Sequence, residues 1–229
     1  MTTVDDIRDG SHAPELDEGA FVRIEYTART AEGGHVVDTT DPTVAADADL
    51  DGVSADGPIV VVLGEGHLFE PVADAIREVG VGGSTTATVE PADAFGERDP
   101  RKRETVSVEL IPEDRRTAGH TISVAGRDCV IESVDGETAT LDYNHSLAGV
   151  TLEYDISVLE RVTGDARASG LCALHGVNAE VTLSENELTI SATAAEPSAE
   201  RDRRRRSLVR DARRLLPISI VRITQTYRK

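Results

Sequence analysis

Two runs of strict alternation constrain this chain more than any other feature. In residues 21–29, Val22, Ile24, Tyr26 and Ala28 share one face, and Arg23, Glu25, Thr27 and Arg29 share the other. In residues 151–162, Leu152, Tyr154, Ile156 and Val158 alternate in the same way with Thr151, Glu153, Asp155 and Ser157. Each run predicts a half-buried strand, and the second is long and regular enough to join the sheet of the first. Tyr26 and Tyr154 then face inward. Only seven of the 229 residues are aromatic, so each inward ring is worth placing.

Between these runs the pattern is shorter. Gly33-Gly34 turns the chain into a return strand, Val36-Val37, that ends at Asp38. Residues 39–57 form an acidic, alanine-rich insertion with loop-like Pro and Gly at its ends. Residues 59–63 predict an apolar strand, and Gly64-Glu65-Gly66 turns the chain. Leu68, Val72, Ala75, Ile76 and Val79 then fall at helical spacing, with Pro71 tolerated in the first turn. A glycine-rich turn (Gly80, Gly82, Gly83) opens a further alternating run; Pro91 stops it, and Phe95 sits at its lip. Residues 104–110, 121–124, 127–134 and 137–142 predict short strands, divided in part by Ala125-Gly126 and Asp135-Gly136. Residues 143–149 predict a polar loop.

The tail has its own order. Residues 177–183 and 187–193 bracket a hairpin turn at Ser184-Glu185-Asn186, while residues 171–176 give only a weak pattern. Ser198 is placed to cap a helix through Leu208, Val209, Ala212, Leu215 and Leu216. Pro217 ends that helix, and a last strand carries Ile218, Ile220, Ile223 and Tyr227. Hairpin, helix and strand together predict a small α+β domain. Residues 1–18 read as a loose polar arm.

Charge divides the chain as well. Residues 1–162 hold 34 acidic against 12 basic side chains, and residues 163–229 hold 8 against 12. The shift marks a domain boundary near residues 163–170. The net charge of −18 argues against general binding to a nucleic-acid backbone, where Arg and Lys neutralise phosphates. Lysine is confined to Lys102 and Lys229, and the composition resembles that of proteins working at high salt. Eight arginines crowd residues 201–214, with Arg201 and Arg214 at the ends. They offer a surface to an anionic partner, but the reading with more weight is a solvated helix face balancing the acidic remainder.

Several chemistries lack their residues. Gly64-Glu65-Gly66 is not continued into a dinucleotide fingerprint, and no GK[ST] phosphate loop or GxSxG elbow occurs. The six histidines never fall at ligand spacing, so no metal and no cofactor is expected. Cys129 and Cys172, far apart and outside any CxxC, read as buried thiols. No stretch reaches transmembrane length, and the default expectation is a cytoplasmic protein with no membrane partner. What remains is apolar chemistry: Tyr26 and Tyr154 on inward faces, with Phe69 and Phe95 at the ends of elements. They read as either core residues or the lining of a shallow pocket.

The stretch ADAFGERDPRKR (residues 92–103), together with DYNHSLAG (142–149), IEY (24–26), VVDTT (36–40) and LGEGHLF (63–69), resembles the FK506-binding-protein class of peptidyl-prolyl isomerases. The resemblance covers residues 19–162. It points to the subgroup shared by the bacterial SlyD chaperones and the long archaeal enzymes. It implies an α+β fold, in which an FKBP-like antiparallel sheet wraps a short helix, with an inserted small β-rich flap domain and a C-terminal α+β domain. The implied domains are 19–99 with 146–162 (catalytic), 100–145 (insert-in-flap, chaperone) and 170–229. The family's pocket falls on Tyr26, Asp38, Leu68, Phe69, Val72, Phe95 and Tyr154. The implied activity is isomerisation of X–Pro bonds in unfolded or proline-containing polypeptides, without a cofactor. Phe95 stands where the family usually has a tyrosine whose hydroxyl bonds the peptide. This departure keeps open a second expectation, a non-catalytic chaperone on the same scaffold.

Overall fold

The computed structural model describes residues 16–50, 55–193 and 198–226. The first alternating run is strand β1 (Phe21–Thr30), with Val22, Ile24 and Ala28 buried. It pairs antiparallel with β2 (Val36–Thr39), which sets Ala28 opposite Asp38 and Thr27 opposite Thr39. The acidic, alanine-rich insertion that follows, left without an assigned element in the sequence, contains helix α1 (Pro42–Asp47). Asp41 accepts the backbone N–H groups of Thr43 (2.7 Å) and Val44 (3.2 Å), and Pro42 fills a first-turn position that needs no donor. Strand β3 (Ile59–Val62) pairs antiparallel with β1, Phe21 opposite Val62.

Helix α2 (Glu70–Val79) holds Pro71 in its first turn and buries Val72, Ala73 and Ile76. It ends where the Gly80 N–H donates to the Ile76 carbonyl, and strand β4 (Ser84–Val89) follows. The chain then makes a separate four-stranded sheet from β5 (Arg103–Ser107), β6 (Thr121–Val124), β7 (Arg127–Asp135) and β8 (Thr138–Asp142), in the order β5-β8-β7-β6. The first of these was expected to reach residue 110. It stops at Ser107, whose hydroxyl accepts the Glu109 N–H as residues 108–110 tighten into a 3-10 turn. Because Asp135 pairs with Thr138, the β7–β8 turn falls on Gly136 and Glu137, one residue later than expected. Ile111, Ile122, Cys129, Ile131, Ala139 and Leu141 make the core of this sheet.

The second alternating run is β9 (Leu152–Arg161). It returns to the first sheet, whose order is β2-β1-β9-β4 with β3 added on β1. Helix α3 (Asp165–Leu174) occupies the stretch where the charge changes. The tail completes β10 (Glu180–Leu183), β11 (Glu187–Thr193), α4 (Ala199–Leu215) and β12 (Ile220–Thr226). β10 and β11 form the expected hairpin, whereas β11 and β12 run parallel with α4 as their crossover. Ser198 stands at the N-cap of α4, but its side chain makes no capping hydrogen bond. Phe21, Val60, Val62, Ala168, Leu171, Cys172, Leu188, Ile190, Leu208 and Ala212 share one buried cluster.

The α+β class is therefore as expected: an antiparallel FKBP-like sheet with its helix, a β-rich segment and an α+β tail. The chain divides into two compact units. One comprises the described parts of Met1–Arg29, Gly34–Thr88 and Glu153–Lys229; the other comprises Thr30–Gly33 and Val89–Leu152. Of the expected arm, residues 1–15 lie outside the described residues, and Leu16 is buried. Tyr227, expected in the last strand, also lies outside them. No described helix is long and apolar enough to cross a membrane.

Candidate active site

The register of β1 and β2 builds the first part of the site. Tyr26 and Ala28 lie on one face of β1, and Asp38 opposes Ala28, within diagonal reach of the Tyr26 ring. The Tyr26 hydroxyl donates to Asp38 Oδ2 at 2.7 Å, the length of a charge-assisted bond. Burial, and then the neighbouring Asp38 carboxylate, push the Tyr26 phenol well above its ordinary pKa. It stays protonated, and its proton is committed to Asp38.

Two threonines hold the strand that carries this tyrosine. The Tyr26 N–H donates to Thr40 Oγ1 at 3.0 Å, and the Thr40 N–H donates to the Tyr26 carbonyl, also at 3.0 Å. The hydroxyls of Thr27 and Thr39 lie 2.9 Å apart. Thr39 and Thr40 are both buried, so their hydroxyls stand in for ladder bonds beside a register shift between Ala28 and Arg29. Reading the sequence for pocket residues missed this pair, although consecutive β-branched hydroxyls after Asp38 were its visible signal.

The second part comes from β9 and α2. Tyr154 is buried on the inward face of β9, its ring 5.8 Å from Tyr26 at an interplanar angle of 37°. Phe69, the N-cap residue of α2, meets Tyr154 edge-on, with centroids 6.2 Å apart at 78°. Such aromatic pairs contribute about 0.5–1.5 kcal/mol beyond the area they bury. Val72 lies buried in the first turn of α2, and Leu68 lies half-buried just before Phe69. Burial, with Asp38 as a lesser cause, pushes the Tyr154 phenol up to about 12. Tyr26, Asp38, Phe69 and Tyr154 are thus directly connected, with Leu68 and Val72 on the adjoining turn of chain.

Phe95 belongs to the other compact unit. It is 37% exposed, and its ring stacks flat on His145, with centroids 4.0 Å apart at 3°. No sequence signal joined these two residues, which lie in different loops. Nearby in the same unit, Asp142 is buried and bound by Arg98 Nε (2.8 Å), the Asn144 N–H (2.8 Å) and the Asn144 amide (2.7 Å). Burial alone would raise the Asp142 carboxyl, but these donors together hold it below its ordinary pKa.

The connected groups include no nucleophile with a base. They offer aromatic and aliphatic faces, a carboxylate and two protonated phenols, which suits non-covalent binding of an apolar ring next to a carbonyl. Among the described residues no group of three or more His, Cys, Asp and Glu side chains could hold a metal ion. Cys129 and Cys172 are free and buried as expected, and burial pushes the Cys172 thiol up to about 11.

Comparison with known proteins gives a consistent answer. A family model described as FKBP-type peptidyl-prolyl cis-trans isomerase matches residues 13–124. The short-type peptidyl-prolyl cis-trans isomerase of Methanocaldococcus jannaschii is 30% identical over 146 residues, covering 62% of this chain and 92% of the relative. The FKBP-type 16 kDa peptidyl-prolyl cis-trans isomerase of Escherichia coli K12 is 32% identical over 109 residues, 45% of this chain and 73% of the relative. The FKBP-type peptidyl-prolyl cis-trans isomerase SlyD of Treponema pallidum is 29% identical over 160 residues, 67% and 81% respectively. With an FKBP-like sheet and helix, and a relative matched over nearly its whole length, the chain belongs to the FKBP-type peptidyl-prolyl cis-trans isomerase family.

Proposed function

We propose that the chain accelerates cis–trans isomerisation of X–Pro bonds in folding polypeptides, with Tyr26, Asp38, Leu68, Phe69, Val72, Phe95 and Tyr154 as the residues that serve it. The observation that carries this reading is the Tyr26–Asp38 bond set against the Tyr154 and Phe69 rings. The X–Pro bond rotates over a barrier of about 18–20 kcal/mol because amide resonance keeps it planar. Uncatalysed isomerisation takes about 10–100 s at room temperature. A site accelerates rotation by binding the twisted amide better than either planar isomer. Water favours the charge-separated planar form, so apolar walls that exclude water favour the twisted one. Val72, Phe69 and Tyr154 receive the proline ring, Tyr26 is a side wall, and Asp38 orients Tyr26.

In the same reading the chain is of the SlyD-like and long archaeal kind, acts in the cytoplasm and needs no cofactor. Residues 19–99 and 146–162 form the catalytic domain. Residues 100–145 form an insert-in-flap lobe that binds unfolded clients, and residues 170–229 form a C-terminal domain. For the arginines of α4 the solvated reading is favoured, since Arg204 pairs with Glu200, and Arg214 with Glu65 and Asp211. The second functional reading, a polypeptide-binding chaperone without turnover, is favoured by one observation: the residue at 95 has no hydroxyl. A proline-peptide assay run beside an aggregation assay at high salt separates the two. Turnover is the expected result, and suppressed aggregation without turnover would replace the first reading by the second.

A further inference from the structure

We infer that Arg214, on the C-terminal helix α4, is a positioning residue for the prolyl pocket and acts through Glu65. The inference rests on the isomerase reading and deepens it. The chain between β3 and α2 begins well fixed: the Leu63 N–H donates to the Ala20 carbonyl at 3.0 Å, and its own carbonyl accepts the Gly19 N–H at 2.9 Å. It ends at Leu68 and Phe69, and Phe69 contributes one ring of the aromatic cluster. Between these points stand Gly64 (φ +75°) and Gly66 (φ +73°), in a backbone region open to glycine and strained for other residues. Glu65 is the single side chain between these two joints. Its carboxylate is largely buried and bound by the Arg214 guanidinium.

Arg214 reaches from a firm base. Helix α4 is held in the shared cluster by Leu208, Ala212 and Leu216. Arg214 Nη2 also lies 3.4 Å from Asp211 Oδ1. Asp211 is buried, with Oδ2 3.0 Å from Nε2 of His175 at the C-cap of α3. The Glu65–Arg214 pair therefore ties a doubly jointed loop to the packed helix α4. His67 supports the same loop from the other side, its Nδ1 accepting the Val62 N–H at 3.2 Å. Losing the arginine frees the glycine joints and lets Leu68 and Phe69 wander, which weakens peptide binding more than it slows the bound reaction.

The test uses the full chain with Arg214→Gln, Glu65→Gln, the double variant and Arg214→Lys, assayed on a short proline-containing peptide. Each single variant is expected to raise KM about two- to fivefold while kcat changes less than about twofold. The double variant should be no worse than either single one, and Arg214→Lys should recover part of the loss. Unfolding midpoints taken in parallel separate positioning from folding: a lowered midpoint with unchanged KM overturns the inference, as do additive effects in the double variant. If the wild-type chain shows no turnover, it is the isomerase reading that fails. Peptide Kd, from tyrosine fluorescence, then takes the place of KM: the same rise supports the tie, and an unchanged Kd overturns it.

Discussion

At the scale of single residues, the candidate site depends on two phenols in different roles. Tyr26 has its proton bound to Asp38, while Tyr154 supplies the ring that touches both other aromatics. Phe95 is the natural probe of what a third hydroxyl would add. Its ring is 37% exposed, so Phe95→Tyr should change stability by less than about 0.5 kcal/mol, as exposed substitutions usually do. Turnover of a proline-containing peptide should rise about threefold, one hydrogen bond gained at a partly exposed site. Unchanged turnover would remove Phe95 from the proposed catalytic residues. His67 gives a second residue-scale test. Burial holds its pKa below the ordinary 6.5, so the unfolded chain takes up its proton first as the pH falls. The stability tied to neutral His67 is complete above that value and lost between it and the lower folded value. Glu65, Asp211 and His175 bear on the same imidazole, so the comparison that isolates it is His67→Asn, which keeps an acceptor for the Val62 N–H. The unfolding midpoint of wild type should fall more steeply than that of the variant below about pH 6.5. Parallel curves would contradict the assignment.

At the scale of elements, packing at close quarters makes one glycine decisive. Gly170 lies in α3, and a Cβ there would sit 2.6 Å from Val60 Cγ1 and 2.7 Å from Val60 Cβ on β3. Alanine would gain about 1 kcal/mol of helix propensity. Overpacking costs typically about 1–3 kcal/mol, and Val60 is itself buried, so the clash should win. Gly170→Ala is expected to lower stability in a denaturant titration, and a rise would show that α3 can shift off the sheet without penalty. The same helix explains where the sequence was readable and where it was not. β1 and β9 announced themselves because one buried face leaves a period of two that survives any neighbour. α2 did so through Leu68, Val72, Ile76 and Val79. α3 buries Ala168, Gly170, Leu171 and Cys172 beneath small side chains and has no polar–apolar contrast to betray it. α1 is only six residues long, and its signal was the Asp41-Pro42 start. In the site, the inward faces of Tyr26 and Tyr154 were legible from alternation alone. The pocket assignments of Asp38, Leu68, Phe69, Val72 and Phe95 came from family resemblance. The Phe95–His145 stack and the buried threonine pair depend on how loops and bulges close, which no local pattern encodes.

At the scale of the molecule, a net charge of −18 makes self-repulsion a general term in stability, so the assays proposed here belong at high salt, where that repulsion is screened. The β5–β8 sheet has its own buried core. Replacing residues 100–145 with a short Gly-Ser linker should leave turnover of a short peptide within about threefold. It should slow catalysed refolding of a protein client about tenfold or more, the size of gain that a second binding site for the client supplies. Equal refolding rates before and after replacement would remove that role from the lobe. The most direct measurement is the refolding rate of a protein limited by prolyl isomerisation, at high salt, with wild type, Asp38→Ala and Tyr154→Ala. Wild type should accelerate the slow phase, and each substitution should lower that acceleration about tenfold, near 1.4 kcal/mol of transition-state stabilisation. Acceleration unchanged from wild type in both variants would contradict the pocket built on Tyr26, Asp38 and Tyr154.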